Sequence, residues 1–171
     1  MSWVFGYGSL VWRPAFPHVE RRPARLTGWV RRFWQGSYDH RGTPESPGRV
    51  VTLVPDAQGW CDGVVYRLGD DAPQILEALD IREQGGYDRH DLPVRTDDGR
   101  TLTALVYVAS PGNRNHLGPA PLDAVAEQIR GATGPSGANV EYVLRLQAAL
   151  DGMGANDPHV AALSRLVTDN R

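Results

Sequence analysis

Short apolar stretches rich in β-branched residues fill the first 110 residues of the chain. Such stretches predict strands when turn-forming residues bound them. The pattern places strands at residues 3–7, 24–33, 50–54, 63–68 and 102–108. The first of them runs directly into a glycine-bounded turn.

Apolar residues spaced three and four apart predict four helices, three of them in the last third of the chain. The predicted helices span residues 72–84, 121–132, 139–150 and 158–167. The first has Asp71 or Ala72 as a cap, Pro73 in its first turn, and Gly85-Gly86 where it ends. Strands early and helices late predict an α+β fold, a mixed sheet or small barrel with helices packed outside, as one domain over residues 1–171.

The composition is that of a folded globular protein. Of 171 residues, 41% are hydrophobic and 22% are charged, and no apolar run approaches the length of a membrane span. Cys61 is the single cysteine, which excludes an internal disulfide and a thiolate-rich metal site. Residues 1–6 lack the basic region and the apolar core of a secretory signal peptide, so we expect a cytoplasmic location.

The distribution of charge is more informative than the net value of -2. All 18 basic residues are arginine, so mechanisms that need a lysine nucleophile or base are excluded. Residues 1–50 hold eight arginines against Glu20, Asp39 and Glu45, and the rest of the chain is acidic. An arginine-rich segment with interleaved tryptophan favours either an anionic partner or an aromatic core under solvated arginines.

Two segments carry residue types suited to catalysis. The segment 5–10, FGYGSL, follows the first strand, and its glycines allow backbone N–H groups to face an anion or an oxyanion. Glu83 lies at the C-terminal end of a predicted helix, where the helix dipole disfavours the ionised carboxylate and would raise its pKa. A turn and a surface salt bridge are the alternative interpretations, and Asp80 is a competing carboxylate.

Other forms of catalysis have less support in the sequence. Asp39-His40 could belong to a hydrolytic triad, but Ser9 lacks the Gly-x-Ser-x-Gly context of a nucleophile elbow. The five histidines never stand at metal-ligand spacing. We therefore expect no metal site.

Taken in order, a set of motifs covers nearly the whole chain. They lie at residues 4–12 (VFGYGSLVW), 31–37, 39–44, 47–55, 63–68, 82–87 (REQGGY), 117–122, 134–137 and 139–142. In this order they resemble the ChaC-type γ-glutamylcyclotransferases, the branch specific to glutathione. The chain differs from the usual pattern at Tyr38, where a small residue is common, and at His116, where tyrosine is common. Both differences are expected to adjust the pocket for the cysteinylglycine part of the substrate.

The resemblance implies a small mixed β-barrel with flanking helices and a reaction that needs no cofactor and no metal. The family cleaves glutathione into 5-oxoproline and cysteinylglycine, through attack of the substrate's α-amine on its γ-carbonyl. The catalytic glutamate of the family falls on Glu83. Its substrate-binding loop falls on Val4, Phe5, Gly6, Tyr7, Gly8, Ser9 and Leu10. We add Arg49 as a partner for a substrate carboxylate and Tyr142 as a contact of the γ-glutamyl group.

Three alternatives remain open at this point. The chain could be a cyclotransferase for other γ-glutamyl amino acids or amines. It could bind γ-glutamyl peptides without catalysis, which would leave Glu83 without a role. It could bind nucleic acid through its arginine-rich front, although no basic run exceeds two residues. The preferred interpretation has a small-molecule substrate and neither a nucleic-acid nor a membrane partner.

Overall fold

A computed structural model describes residues 2–83 and 86–169 of the chain. The strands are β1 (Trp3–Gly6), β2 (Glu20–Ser37), β3 (Gly48–Arg67), β4 (Tyr87–Thr96), β5 (Thr101–Ala109), β6 (Thr133–Gly134) and β7 (Gly137–Ala138). The α-helices are α1 (Ala72–Glu83), α2 (Leu122–Arg130), α3 (Asn139–Gly152) and α4 (Pro158–Thr168), and a short 3-10 turn spans Ser9–Val11. No helix in the described ranges is long and apolar enough to cross a membrane.

Five strands close into a barrel in the order β1-β3-β2-β4-β5. Strand β1 pairs antiparallel with β3, where Gly6 faces Val64, and parallel with β5, where Val4 faces Leu105. The barrel is therefore mixed, and together with the helices it confirms the predicted α+β class and barrel architecture. The small β6–β7 pair forms a separate two-stranded sheet.

The chain forms two compact units. The first contains the residues up to Val30 and Leu53–Arg114, and the second contains Arg31–Thr52 and the residues from Asn115 onward. Strands β2 and β3 are long enough to belong to both. That the two units constitute one domain stays a prediction.

In the first unit, one side of α1 packs on the barrel. Ile75 and Leu79 are the buried residues of this helix. They join a core cluster with Val4 of β1, Leu68 after β3 and Tyr107 of β5. Burial of aliphatic side chains of this size stabilises a fold by about 1.5–3 kcal/mol each. This packing fixes the first two turns of α1 against β1, which leads into residues 5–10, the glycine loop.

In the second unit, α4 packs against α2 and α3. Its first turn is fixed by Asp157, whose carboxylate accepts hydrogen bonds from the backbone N–H groups of His159 and Val160. The same carboxylate accepts a 2.9 Å hydrogen bond from the fully buried guanidinium of Arg31. Because a buried cation is costly unless it is paired, Asp157 both caps the helix and compensates Arg31.

The structure differs from the sequence prediction at two strands. The strands predicted at 50–54 and 63–68 are parts of one strand, β3, whose middle residues from Pro55 to Gln58 are exposed. Solvent exposure lets Pro55 lie within a strand. Strand β4 was not predicted, because its sequence YDRHDLPVRT is mostly polar and contains Pro93. The Asp98-Gly99 turn between β4 and β5 is the hairpin indication that could have revealed it.

The imidazole of His159 makes the second unit sensitive to acid. Burial, followed by the charge of Arg32, lowers the pKa of His159 to about 4, and its Nε2 accepts a 3.1 Å hydrogen bond from the Phe33 N–H. Since the unfolded chain binds this proton near pH 6.5, the contribution of neutral His159 is complete above that pH and is lost towards pH 4. We expect the free energy of unfolding to fall by up to about 3 kcal/mol across this window from this group.

Urea unfolding at pH 7 and pH 5 measures this effect. His159→Gln keeps an acceptor for the Phe33 N–H but cannot be protonated, so its stability should depend less on pH in this window. His18→Gln, at an exposed histidine, is the matched control and should behave as the original chain does. An equal loss of stability on acidification with and without His159 would contradict the assignment.

Candidate active site

The segment Val4–Leu10 leaves the barrel core and becomes partly exposed only at its C-terminal end. Val4 and Phe5 are buried in β1, Tyr7 is also buried, and Gly8, Ser9 and Leu10 are partly exposed. Val4 and Phe5 would therefore contact a substrate only through their backbone. The 3-10 turn begins at Ser9 and has no side-chain cap. The Ser9 and Leu10 N–H groups thus have no acceptor within the turn.

Close packing and two side chains fix the conformation of this loop. A Cβ on Gly6 would lie 2.6 Å from the Cβ of Leu10, so only glycine allows the loop to fold back so tightly. The buried Tyr66 hydroxyl donates a 2.5 Å hydrogen bond to the Leu10 carbonyl. Arg21 donates a 3.3 Å hydrogen bond to the Val11 carbonyl. The loop is therefore pre-arranged, as a site that binds a developing charge must be.

Glu83 is the last residue of α1, and the sequence predicted it at the C-terminal end of this helix, which was expected to extend to residue 84. Its side chain is 20% exposed, and the nearest atom of the Arg82 guanidinium lies 3.8 Å from its carboxylate. The glycine expected to end the helix, Gly85, lies outside the described residues. A partly buried carboxylate beside solvent can exchange protons with a bound molecule.

Asp80, the competing carboxylate, is occupied by two neighbours. The Tyr107 hydroxyl donates a 2.5 Å hydrogen bond to its Oδ1, and the Arg89 guanidinium lies 3.0 Å from its Oδ2. Both of its oxygens are therefore engaged with the barrel. This arrangement favours Glu83 over Asp80 as the carboxylate that acts on a substrate.

Tyr107 of β5 contacts both candidate segments. Its backbone carbonyl accepts a hydrogen bond from the hydroxyl of Tyr7 in the glycine loop, and its own hydroxyl binds Asp80 in the last turn of α1. Burial, followed by the hydrogen bond to Asp80, raises the pKa of Tyr107, and the charge of Glu83 acts in the same direction. The structure thus brings the loop and the end of α1 to the same strand of the barrel.

Arg49 lies in the second unit, where its guanidinium donates hydrogen bonds to three oxygens of that unit. They are the carbonyl oxygens of Phe33 and Gly118 and the side-chain Oε1 of Gln128, at 2.9, 3.2 and 2.7 Å.

 Only 7% of the residue is exposed to solvent. Its backbone N–H donates to the Asn139 side chain at 2.7 Å. Arg49 thus holds its own unit together, and its pairing with a substrate carboxylate stays a prediction.

Tyr142 also lies in the second unit and is buried. Its hydroxyl accepts a 3.4 Å hydrogen bond from the Val51 N–H, and its ring packs edge-on against Phe33. The Arg41 guanidinium lies 5.8 Å from the centre of the ring. Its contact with a γ-glutamyl group stays a prediction.

The positions that depart from the family pattern lie in the same unit. A Cβ on Gly36 would lie 2.8 Å from the Tyr38 ring, so these two residues are in close contact. The backbone of His116 forms an isolated antiparallel β-bridge with that of Gln35, and the His116 ring lies edge-on to the ring of Trp34. Asp39 and His40, considered for a triad, are exposed, and the His40 ring lies 3.3 Å from the Ser136 hydroxyl.

Sequence reasoning missed Tyr66 and Tyr107, the two phenols that contact the loop and the end of α1. Each is separated from its partners by 27 or more residues along the chain. Apolar strand patterns mark them only as core positions. Within residues 2–83 and 86–169, no three histidine, cysteine, aspartate or glutamate side chains are grouped to hold a metal ion.

Comparison with known proteins gives a consistent set of similarities. A model of ChaC-like proteins matches residues 2–170. The human protein named glutathione-specific gamma-glutamylcyclotransferase 1 is 46% identical over 168 residues, which cover 94% of this chain and 76% of the human protein. The Arabidopsis thaliana protein gamma-glutamylcyclotransferase 2-3 is 44% identical over 174 residues, covering 96% of this chain and 87% of the relative. A crystal structure of a yeast gamma-glutamyl cyclotransferase specific to glutathione superposes with a TM-score of 0.91 at 33% identity, covering 97% of this chain and 95% of the yeast chain.

Proposed function

This chain belongs to the ChaC-like protein family, and on that premise we propose that it is a glutathione-specific gamma-glutamylcyclotransferase. It cleaves glutathione to 5-oxoproline and cysteinylglycine. The observation that carries the proposal is the 46% identity to a glutathione-specific relative over nearly the whole chain. The two hydrogen bonds of Tyr107, one with the glycine loop and one with Asp80 in the turn of α1 that ends at Glu83, support it.

The reaction is an intramolecular acyl transfer. The α-amine of glutathione attacks its γ-carbonyl carbon, a new C–N bond closes the five-membered ring, and the amide bond to the cysteine nitrogen breaks. The amine is protonated at neutral pH, so it loses one proton before it attacks and a second as the ring nitrogen becomes an amide. The leaving nitrogen gains one proton as its bond to carbon breaks and a second when the free amine is protonated at neutral pH. A single carboxyl group can therefore carry protons from the attacking nitrogen to the leaving one.

We assign these proton transfers to Glu83. Its carboxylate is partly exposed, whereas both oxygens of Asp80 are engaged with the barrel. The Ser9 and Leu10 N–H groups are assigned to the negative charge that develops on the γ-oxygen. Because the nucleophile is tethered to the electrophile, orientation of the substrate can contribute roughly 7–11 kcal/mol to the lowering of the barrier.

We also propose that Arg49 pairs with a substrate carboxylate and that Tyr142 contacts the γ-glutamyl group. The Arg49 guanidinium already binds three protein oxygens, which suits a residue that shapes a pocket. Tyr142 packs against Phe33 and beneath Arg41, so it presents an aromatic wall beside a cation. Arginine with an aromatic ring is a common arrangement for recognising a zwitterionic ligand.

The proposal includes no cofactor, no nucleic acid and no membrane partner. Several arginines of the arginine-rich front, residues 1–50, are paired with carboxylates. Arg25 pairs with Asp62, and Arg31 pairs with Asp157. Paired arginines contribute little to a field that attracts a polyanion. The single, buried cysteine supports a cytoplasmic location.

Incubation with glutathione and mass spectrometry of the products tests the proposal. We expect 5-oxoproline and cysteinylglycine in equal amounts. A parallel assay with γ-glutamyl-alanine separates the two cyclotransferase alternatives, because an enzyme specific for glutathione should turn it over far more slowly. Equal turnover of both substrates would favour the broader γ-glutamyl specificity, and absence of 5-oxoproline would contradict the proposal.

A further inference from the structure

The last turn of α1 has little hydrophobic anchorage. The buried residues of this helix, Ile75 and Leu79, lie before it, and Ile81 within it is 59% exposed. Helix ends fray unless other contacts hold them. The end of the helix, where Glu83 lies, therefore depends on polar contacts as a restraint on its position.

The Asp80 carboxylate supplies a restraint of this kind. Asp80 precedes Glu83 by three residues, so the two lie about one helical turn apart on neighbouring parts of the helix surface. Its two oxygens bind different residues of the barrel, Tyr107 through Oδ1 at 2.5 Å and Arg89 through Oδ2 at 3.0 Å. A carboxylate held at both oxygens has a fixed orientation as well as a fixed position.

The two barrel residues that hold Asp80 are themselves fixed relative to one another. Arg89 and Tyr107 are directly opposite in the antiparallel ladder between β4 and β5. Tyr107 is buried, and burial raises its pKa, so its hydroxyl keeps the proton that it donates to Asp80. Asp80, Tyr107 and Arg89 thus form a set of contacts, the Asp80 clamp, on a paired section of the barrel.

The same strand also holds the glycine loop, since the Tyr107 carbonyl accepts the hydrogen bond from Tyr7. One residue therefore contacts the loop through its backbone and α1 through its side chain. The separation between these two segments depends on Tyr107. A catalytic carboxylate must stand at a fixed distance from the groups that bind the developing oxyanion, and an error of 1 Å can cost about a hundredfold in rate.

We propose that Tyr107, Asp80 and Arg89 are positioning residues that hold the Glu83 carboxylate at its working distance from the glycine loop. The proposal rests on the assignment of this chain as a cyclotransferase with Glu83 as its base. It predicts an effect on kcat more than on KM, because the hydrogen bond between Tyr7 and the Tyr107 carbonyl does not need the phenol hydroxyl.

Steady-state kinetics of Tyr107→Phe, Asp80→Ala and the double variant test the inference. We expect each single variant to lower kcat for glutathione about tenfold or more, with KM changed less than about threefold. Because both changes break the same hydrogen bond, the double variant should be no slower than the slower single variant. Asp80→Asn keeps an acceptor for the Tyr107 hydroxyl and should retain more activity than Asp80→Ala.

A matched pair of arginine variants separates positioning from a general loss of charge. Arg89→Gln removes the second contact of Asp80 and should lower kcat about two- to fivefold, in keeping with its partial exposure. Arg25→Gln breaks a similar ion pair with Asp62, 2.8 Å long and half exposed, that does not involve α1. It should leave kcat unchanged.

Circular dichroism at the assay temperature shows whether each variant is folded. If Asp80→Ala does not fold, the kinetics of Tyr107→Phe and Asp80→Asn test the positioning role without it. If glutathione is not cleaved by the unaltered chain, the proposed function fails. If the unaltered chain is active but Tyr107→Phe keeps kcat within twofold, the positioning role is wrong. It is also wrong if the effects of Tyr107→Phe and Asp80→Ala multiply in the double variant, or if Arg25→Gln slows turnover as much as Arg89→Gln.

Discussion

Glu83→Gln is expected to lower kcat for glutathione by about 10²–10⁴-fold while leaving the fold and KM nearly unchanged. The amide has almost the shape of the carboxylate, so contacts that depend on shape are preserved. It cannot take a proton from the α-amine or return one to the leaving amine, and loss of general acid–base catalysis has an effect of this size. The expected loss is larger than that for any residue of the Asp80 clamp, since those residues act on the reaction only through Glu83.

Glu77→Gln is the matched control for this experiment. Glu77 lies on the same helix and is exposed, so the same chemical change there should leave kcat as it is. Turnover is measured as 5-oxoproline released per minute at saturating glutathione, with thermal unfolding of each variant measured in parallel. Retention of more than a tenth of the activity by a folded Glu83→Gln variant would transfer the role of base to another group, with Asp80 the first to test.

The sequence predicted the elements that position this carboxylate better than it predicted the contacts around it. The start of α1 at Ala72 and its extent to Glu83 agree with the apolar spacing of Ile75, Leu76 and Leu79, because local periodicity records which side of a helix is buried. The barrel class also followed from the order of elements. Strand β4 was missed because its residues are mostly polar and half of them are exposed, so that its membership of the barrel rests on backbone pairing with β2 and β5.

The residues around Glu83 depend on contacts that the sequence does not encode locally. Asp80 is three residues from Glu83, yet its partners are on two barrel strands, and Tyr107 is 100 residues from Tyr7. In a sequence, Tyr107 is one more aromatic residue in an apolar strand. Its hydroxyl and its carbonyl acquire their roles only when the barrel closes and places β5 beside β1.

Glutathione acetylated on its α-amine is expected to resist cleavage completely. In the proposed mechanism that nitrogen is the nucleophile, and an amide nitrogen does not attack a carbonyl under these conditions. The γ-amide bond of the acetylated peptide is intact, so a hydrolase that uses water or an enzyme nucleophile should still cut it. The acetylated peptide therefore distinguishes cyclisation from hydrolysis without any change to the protein.

The identity of the first product gives an independent answer on native glutathione. Cyclisation releases 5-oxoproline directly, whereas hydrolysis releases glutamate, and mass spectrometry separates the two. We expect no glutamate at early times. Binding of the acetylated peptide should be checked by its inhibition of native turnover, because the added group could also prevent entry into the site.

Ser9→Ala tests the role of the loop in the same reaction. The hydroxyl is not assigned a step, since the Ser9 and Leu10 N–H groups are proposed to bind the developing oxyanion and the substitution leaves them in place. Ser9→Ala should therefore cost much less activity than Glu83→Gln. A mechanism with water or a serine as the nucleophile would release glutamate, so glutamate as the first product would overturn cyclisation. Complete inactivity of a folded Ser9→Ala variant would show that the hydroxyl takes part in the reaction and would overturn the roles assigned to the loop.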